Sequence, residues 1–306
     1  MKLSICIPVY NGSKSIKKLI NKVKDELIKE GYSLEFVLVN DSSSDDSEIV
    51  CEQLAVENKE VKFISLRKNY GEHNAVMCAL NYVTGNYAVI IDDDFQNPPE
   101  EIKKLIDEAV KGFDVVYSKY KKKKHNIFRN LGSKFNDIVA TQLLQKPKGL
   151  YLSSFKVIEK SLVKEIIKYK GPFPYIDGLL LRCTNSFSSV YVNHNKREEN
   201  KSNYTIKKLV SLWLNMFINF SVKPLRIFTT FGLVVSIASG FFALYFIAEK
   251  ILNPTNPIGW ASIMVSIFFF SGVQLIFLGL IGEYLGKSYL DQNKTPQWVI
   301  KKEILK

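Results

Sequence analysis

The chain has 306 residues and a formal net charge of +12, with 42 lysines and arginines against 30 aspartates and glutamates. Its length exceeds that of a typical domain, so we expect one large domain with an appended segment. The four cysteines show no Cys-x-x-Cys spacing, which argues against a zinc site and a disulfide framework. The basic excess suits nucleic acid or an anionic membrane, and two uncharged runs near the C-terminus favour the membrane. We therefore expect no nucleic-acid partner.

Short apolar runs alternate with helical patterns along the N-terminal half of the chain. Strands are predicted over residues 3–9, 34–39, 61–66, 87–91 and 115–117, and helices over 15–30, 47–55, 74–82 and 98–111. Farther on the pattern is less regular, with helices predicted over 126–144, 159–168 and 176–183 and extended segments over 150–157 and 190–193. This order predicts an α/β fold in which helices cover a mostly parallel, Rossmann-like sheet.

Three consecutive aspartates follow the predicted strand at 87–91. Two carboxylates ~4 Å apart repel by roughly 4 kcal/mol at an effective dielectric constant near 20, and a hard divalent cation reverses the sign. If the segment stays extended, Asp92, Asp94 and Gln96 share one face and Asp93 points the other way. Such a face suits Mg²⁺ or Mn²⁺ bound to a diphosphate. A solvated acidic turn or a helix cap is the alternative for this motif taken alone.

Polar residues also follow the other predicted strands. Asn11-Gly12 comes after the first strand, Asp41 after the second, and a polar turn with Arg67, Asn69 and Gly71 after the third. Ligands bind at the carboxyl ends of the strands in such sheets. Asp41 is suited to accept hydrogen bonds from a nucleobase or a ribose, and a purely local turn is the alternative.

Two uncharged runs, 227–248 and 258–282, are each long enough to cross a ~30 Å hydrocarbon core as helices. A buried helix pair in a soluble domain is the alternative. Basic residues flank the outer ends of the pair, so the positive-inside rule places the N-terminal domain and the tail in the cytosol. The sequence thus predicts a multi-pass protein of the cell (inner) membrane with both termini cytosolic. No apolar segment precedes the first strand, so a signal peptide is not expected.

Apolar residues recur at helical spacing over 206–218, beside Lys207, Lys208 and Trp213. Tryptophan and lysine next to an apolar stripe are typical of a helix that lies in the membrane interface. An ordinary core-facing helix is the alternative.

Several strings of this sequence closely resemble the polyprenyl-phosphate glycosyltransferases, which belong to the inverting glycosyltransferase family 2 with a GT-A fold and an Asp-x-Asp motif. They are IPVYNG at 7–12, VNDSSSD at 39–45, LRKNYGEHNA at 66–75, VTGNYAVIIDDDFQNPPEEI at 83–102, HNKREENKSNY at 194–204, PLR at 224–226 and LGLIGEYLGKSY at 278–289. The third and fourth strings are most similar to undecaprenyl-phosphate formamido-arabinose transferases. Undecaprenyl-phosphate glucosyl transferases and dolichol-phosphate mannose synthases are further members.

The resemblance implies a role for individual residues. It assigns the nucleotide to Pro8, Tyr10 and Asp41, with Asn69 and Asp93 also on the substrate side. It assigns the metal and the donor diphosphate to Asp92, Asp94 and Gln96. It assigns the acceptor phosphate to Arg129 and Ser133 and to the segment that contains Arg197, Ser202 and Tyr204, since arginine binds two phosphate oxygens at once. Asp177 is expected to contact or orient the sugar, and a structural role at the start of a helix is the alternative.

This chain departs from the family pattern at a few positions. Gly12 stands where an acid is usual, Asn40 where Asp is common and Asn200 where Gly is expected. The segment 151–156 replaces one that usually includes an Asp and an Arg. That segment lies where the family is expected to read the sugar, so the sequence does not name the donor sugar.

The resemblance predicts a GT-A catalytic domain over 1–204, an interfacial helix region over 205–225, and two transmembrane helices with a cytosolic tail over 226–306. The implied activity is metal-dependent, inverting transfer of a sugar from a nucleotide sugar, by preference a UDP-sugar, to undecaprenyl phosphate at the cytosolic face. The expected partners are the donor, the polyprenyl phosphate and the bilayer, and a homo-oligomer is compatible with the sequence. The alternative is a non-catalytic accessory protein of a flippase or glycan-assembly system that binds nucleotide sugar or lipid phosphate. A processive polysaccharide synthase is disfavoured, because the sequence has no Gln-x-x-Arg-Trp segment.

Overall fold

The computed structural model describes residues 1–120, 146–147, 149–195, 223–252 and 259–306. The chain divides into two units, of which the first combines Met1–Tyr204 with Lys294–Lys306 and the second is Thr205–Asn293. The helix predicted at 126–144 lies outside the described residues, and so does the helix predicted at 206–218.

The first unit is built on an eight-stranded sheet. Its strands are β1 (Lys2–Val9), β2 (Ser33–Asn40), β3 (Val61–Leu66), β4 (Tyr87–Ile90), β5 (Val115–Tyr120), β6 (Lys156–Glu159), β7 (Phe187–Val192) and β8 (Ile300–Ile304). Their order across the sheet is β7-β5-β6-β4-β1-β2-β3-β8. The pairs β4–β1, β1–β2, β2–β3 and β5–β7 are parallel, whereas β6 and β8 run antiparallel to their neighbours. The predicted mostly parallel sheet is confirmed.

Helices cover both faces of this sheet, because its strands are apolar on both sides. They are α1 (Ile16–Ile28), α2 (Ser47–Glu57), α3 (Glu72–Leu80), α4 (Ile102–Ala109), α5 (Lys160–Ile166) and α6 (Ile176–Cys183), with a 3₁₀ turn at Pro99–Glu101 before α4. Along β2, Phe36 and Leu38 face the core shared with α1, α2 and α4, whereas Val37 and Val39 face the core shared with α3, α5 and α6. This period-2 alternation produces the three-layer α/β/α arrangement.

The element predictions from sequence are largely confirmed, with differences at strand ends. β4 stops at Ile90, β5 continues to Tyr120, and β6 begins only at Lys156 although extended structure was predicted from residue 150. The largest difference is β8, which the sequence did not predict. It lies in the C-terminal tail and adds an antiparallel edge strand to β3.

The second unit contains two long helices, α7 (Lys223–Leu252) and α8 (Trp260–Gln292). They cover the two uncharged runs, and within this unit the rings of Phe228 and Phe277 pack edge to face with centroids 5.0 Å apart. Among the described residues, one helical stretch, Phe269–Gln292, is long and apolar enough to cross a membrane, with a mean hydropathy of 1.4. The second span and the orientation in the membrane stay predictions.

Candidate active site

The polar segments that follow β1, β2 and β4 meet at one edge of the sheet, which we call the carboxyl edge. These strands are adjacent and parallel, with Val9 beside Asn40 in the β1–β2 register and Cys6 beside Ile90 in the β1–β4 register. Their C-terminal ends therefore lie together, which is where parallel α/β sheets bind ligands. The structure thus brings Tyr10, Asp41 and Asp92 to the same edge.

Three non-glycine residues at this edge adopt a left-handed backbone conformation. Asn11 has a φ of 59°, Ser42 of 55° and Phe95 of 56°, one in each of the three segments. Asparagine tolerates this region, but a bulky residue such as phenylalanine rarely occupies it. Backbone strain of this kind clusters at functional sites, because the surrounding structure must hold it in place.

Hydrogen bonds join the loops after β1 and β2. The backbone N–H of Asn11 donates to the Ser43 hydroxyl at 3.0 Å, and the Asn11 side-chain oxygen accepts from the N–H of Ser44 at 2.9 Å. The N–H of Gly12 donates to the Ser47 hydroxyl at 2.9 Å. These bonds fix the loop that carries Tyr10, whose side chain is 53% exposed and therefore accessible to a ligand.

Asp41 is buried and organises the loop after β3. One carboxylate oxygen accepts from the N–H of Tyr70 at 2.7 Å, and the other accepts from the N–H of Gly71 at 2.8 Å. Burial raises the pKa of Asp41, and the two backbone hydrogen bonds partly offset that effect. Pro8 is half-buried beside Val39 in the β1–β2 register, and Asn69 is exposed in the loop that Asp41 holds.

The acidic motif forms a turn and does not continue the strand. Phe95 is left-handed, and the N–H of Gln96 donates to the Asp94 carboxylate at 3.1 Å. The segment is therefore not extended. The shared face of Asp92, Asp94 and Gln96, which was predicted for an extended segment, does not follow. Local turn formation replaces strand alternation after Asp92, and all three side chains are partly accessible to solvent.

The contacts of Asp92 and Asp93 lie on opposite faces of the sheet, although the two residues belong to the turn and not to the strand. Asp92 accepts from the Ser154 hydroxyl at 2.7 Å and raises the pKa of Glu72 on α3. The Asp93 carboxylate lies against Gly12, where any Cβ would overlap it. Asp93 also contributes, after burial, to the raised pKa of the Cys51 thiol on α2. Since α2 and α3 cover opposite faces, the two carboxylates are directed apart.

Asp177 lies in the first turn of α6 and belongs to a buried polar cluster. It forms an ion pair with Lys156 on β6, and the Tyr117 hydroxyl donates to it at 2.9 Å. Only 7% of Asp177 and 3% of Lys156 is exposed. In the β4–β6 register Lys156 pairs with Ile90, so this ion pair lies near the start of the acidic turn.

Glu72 and His73 extend this part of the carboxyl edge. Burial first, and then the Asp92 carboxylate, raise the pKa of Glu72 to about 7. Glu72 is nevertheless exposed to solvent at the start of α3. Burial lowers the pKa of His73 to about 4, and its ring packs edge to face on Tyr175 with centroids 5.1 Å apart.

A hydroxyl network borders the other side of the acidic turn. The Tyr120 hydroxyl donates to the Asn97 side-chain oxygen at 2.7 Å and lies 2.9 Å from the Ser153 hydroxyl. The His194 ring packs on Tyr120 with centroids 4.4 Å apart, and the N–H of Asn195 donates to the Gln96 carbonyl at 2.9 Å. The start of the predicted acceptor segment therefore adjoins the acidic turn.

The candidate site includes residues that were not predicted from the sequence, and some predicted site residues lie outside the described part of the chain. Glu72, Ser154, Lys156 and Tyr117 surround Asp92 and Asp177 but were not predicted as site residues. A lysine inside an apolar strand was the available signal for Lys156. Five predicted site residues lie outside the described part of the chain, namely Arg129, Ser133, Arg197, Ser202 and Tyr204.

The mostly parallel sheet, with its polar segments at the carboxyl edge, is a GT-A-like α/β fold, and comparison with known proteins identifies the chain as a glycosyltransferase. The family model described as "Glycosyl transferase family 2" matches residues 4–167. The chain belongs to that family and is an enzyme. A solved structure with a similar fold is glucosyl-3-phosphoglycerate synthase from Mycobacterium tuberculosis in complex with Mn²⁺ and UDP-glucose, with a TM-score of 0.52 and 16% identity over 71% of this chain and 77% of that one.

Curated relatives match nearly the whole chain. The undecaprenyl-phosphate 4-deoxy-4-formamido-L-arabinose transferase of Klebsiella pneumoniae (strain 342) is 29% identical over 309 residues, covering 99% of this chain and 94% of the relative. The enzyme of the same name from Proteus mirabilis (strain HI4320) matches with the same identity and coverage. The resemblance stated from the sequence motifs is confirmed.

Proposed function

We propose that this enzyme transfers a sugar from a nucleotide sugar, most simply a UDP-sugar, to a polyprenyl phosphate. The observation that carries the proposal is the meeting of Tyr10, Asp41 and the Asp92–Gln96 turn at one sheet edge, in a chain that aligns with undecaprenyl-phosphate sugar transferases over 99% of its length. The alignment includes the C-terminal helices, which suit an acceptor whose apolar tail stays in a bilayer.

The acidic turn fits a divalent cation by its donor set. Asp92, Asp94 and Gln96 offer carboxylate and amide oxygens, the ligands that Mg²⁺ and Mn²⁺ prefer. Among the described residues no three His, Cys, Asp or Glu side chains are arranged as a complete metal site. In the proposed site the cation would take one or two protein carboxylates and complete its coordination with substrate phosphates and water. When bound there, the cation would stabilise the negative charge of the departing diphosphate.

The residues of the chain would supply alignment and charge. In the proposed reaction a phosphate oxygen of the acceptor forms a bond to the anomeric carbon of the sugar, and the bond from that carbon to the nucleoside diphosphate breaks with inversion. The acceptor phosphate is already anionic at neutral pH, so it needs little help from a general base. Tyr10 and Asp41 would position the nucleotide, and Asp177 would orient the sugar. Arg129 with Ser133, and Arg197 with Ser202 and Tyr204, would hold the acceptor phosphate.

We place the reaction at the cytosolic face of the cell membrane. The basic residues that flank the two uncharged runs support this orientation through the positive-inside rule. Two spans, at 227–248 and 258–282, would keep the catalytic unit beside the bilayer that holds the acceptor.

The test is a reconstituted assay with the purified full chain. The enzyme is incubated with undecaprenyl phosphate and a panel of UDP- and GDP-sugars, with Mg²⁺, with Mn²⁺ and with a chelator, and lipid products are identified by mass spectrometry. We expect a glycosyl lipid phosphate from one donor, formed only with metal. A product of another class, or full turnover in the presence of the chelator, would contradict the proposal.

A further inference from the structure

The C-terminal segment, residues 294–306, follows the last long helix and packs on the catalytic unit. Its strand β8 pairs with β3 from Ile304 beside Phe63 to Ile300 beside Leu66. Lys301 forms an ion pair with Glu48 of α2 at 2.9 Å, and the Tyr82 hydroxyl donates to Glu303 at 2.8 Å. The segment therefore contacts the unit through backbone, charge and hydroxyl groups.

One residue of this segment reaches into the interior. Gln297 is only 7% exposed, and its side-chain amide donates to the carbonyl of Tyr169 at 3.1 Å and to the carbonyl of Gly171 at 2.7 Å. Both carbonyls belong to the loop 167–175 between α5 and α6, which we call the proline loop. A buried carbonyl that loses its donor keeps the full cost of desolvation, so these two bonds fix the start of the loop.

The proline loop leads directly into the side of the site that contains Asp177. Pro172 and Pro174 restrict the backbone between Gly171 and Tyr175, because the proline ring holds φ near −65° and restricts the preceding residue. A displacement at Gly171 is therefore transmitted along the loop. Tyr175 packs on His73, and Asp177, two residues farther on, pairs with Lys156.

The same segment also borders the loop that Asp41 holds. The N–H of Arg67 donates to the carbonyl of Val299 at 2.9 Å, immediately after β3 ends. Val299 is two residues from Gln297. The stretch 297–299 therefore contacts both the loop after β3, which leads to Tyr70 and Gly71, and the proline loop, which leads to Asp177.

We propose that Gln297 is a positioning residue for donor-sugar transfer, which it supports by fixing the proline loop and through it Asp177. This rests on the proposed function, in which Asp177 orients the sugar. The proposal gives the C-terminal segment a part in the reaction, although both long helices lie between this segment and the rest of the catalytic unit in the sequence. In this proposal Gln297 acts only through its hydrogen bonds to the Tyr169 and Gly171 carbonyls.

The test uses Gln297→Glu in the full chain, since glutamate keeps the shape of the side chain but cannot donate to the two carbonyls when ionised. We expect kcat/KM for the sugar donor to fall about tenfold, because small displacements of positioning groups are costly. Inhibition by UDP, which carries no sugar, should change less than twofold. The matched control Lys301→Ala removes an exposed ion pair of the same segment and should leave kcat/KM within twofold. If Gln297→Glu does not fold, Gln297→Met removes the same donor with an apolar side chain of similar length.

A double-variant cycle separates positioning from general stability. In an Asp177→Asn background, Gln297→Glu should lower kcat/KM by less than twofold, because the residue through which it acts is already disabled. A tenfold loss in both backgrounds, or an equal loss of UDP inhibition, would overturn the inference. So would wild-type kcat/KM in folded Gln297→Glu protein. A wild-type enzyme that makes no glycosyl lipid phosphate contradicts the proposed function, which is a separate outcome.

Discussion

Acidic side chains at the two ends of the sheet lie in opposite electrostatic environments. At the amino ends of the parallel strands, Glu35 is 3% exposed and is surrounded by protein donors. Lys2 and Lys62 lie 2.9 and 3.3 Å from its carboxylate, and the Thr84 N–H and the Ser4 hydroxyl donate to it. Burial alone would raise its pKa, yet the hydrogen bonds from Ser4, Thr84 and Lys2 lower it to about 2.

At the carboxyl edge the acids lie close to one another. Asp92, Asp94 and Asp177 all contribute to raising the pKa of Glu72, and Lys156 is the cation that opposes them. A carboxylate whose charge the protein has neutralised is structural, whereas several carboxylates that raise the pKa of an exposed neighbour, as they do for Glu72, favour a positive ligand. The comparison therefore separates a stabilising acid from acids available for binding and catalysis.

The largest effect should come from the acidic turn. Asp94→Ala should lower kcat about 10³-fold, because in the proposed reaction Asp94 would help to hold the cation that stabilises the charge of the leaving diphosphate. Thermal unfolding should change little, since Asp94 is partly exposed and its bond to Gln96 is local. Steady-state kinetics and a melting curve in detergent measure the two quantities.

The matched control for that variant is Asp107→Ala. Asp107 is an exposed acid of α4 that pairs with Lys103 at 3.2 Å. Its loss should leave kcat within twofold. Wild-type turnover in folded Asp94→Ala protein would remove the metal hypothesis.

The second largest effect is expected on the free energy of unfolding, from a change to Glu35 at the amino ends of the strands. Glu35→Gln leaves Lys2 and Lys62 without their partner and should lower the free energy of unfolding by about 2–3 kcal/mol, with kcat unchanged at low temperature. Because the folded pKa lies below the usual 4.5, the stabilisation is fully present above pH 4.5 and is lost as the pH falls towards 2. Denaturant unfolding at pH 7 and pH 3 should show this loss in the wild type and a smaller one in the variant. Equal stability of the two proteins at pH 7 would contradict the structural role.

A smaller effect should come from Glu72. With a pKa of about 7 before metal binds, its ionised fraction rises from roughly a tenth at pH 6 to nine tenths at pH 8. The added negative charge beside Asp92 should tighten Mn²⁺ binding up to about tenfold over that range. Calorimetric titration of the free enzyme at both pH values measures it, and Glu72→Gln should flatten the dependence. The same slope in the variant would show that another group titrates.

Much of the fold followed from sequence because the strands are apolar and the helices amphipathic. The residues after β1, β2 and β4 could be placed together from chain order alone, since parallel strands end at one edge. β8 could not be predicted in this way. Its sequence, Ile-Lys-Lys-Glu-Ile, carries three charges in a row and resembles a solvated tail, and its pairing with β3 depends on contacts more than 200 residues away in sequence.

The site was predicted less completely, and the reason is physical. Residue types and strand ends indicated Asp41, Asp92 and Asp94. The turn at Phe95 depends on a left-handed backbone that no propensity predicts for phenylalanine. Glu72, Ser154 and Lys156 become neighbours of the acids only through the packing of α3 and β6, so the sequence could single out the segment 151–156 and a lysine in an apolar strand but not their contacts with the acids.

The smallest predicted effect distinguishes two adjacent serines, Ser153 and Ser154. Ser154 donates to Asp92, whereas Ser153 is buried and bonds to Ser118 at 2.7 Å. Ser154→Ala should weaken metal activation about two- to fivefold with kcat unchanged, because water can replace the hydroxyl beside a partly exposed carboxylate. Ser153→Ala should lower the melting temperature and leave metal activation unchanged, since it removes the Ser153 hydroxyl from a buried network with Ser118 and Tyr120. Metal titrations of activity and melting curves on both variants separate the two roles. A 100-fold fall in kcat for Ser154→Ala would show that this hydroxyl contacts the reacting sugar, because orienting a single metal ligand cannot account for so large a loss.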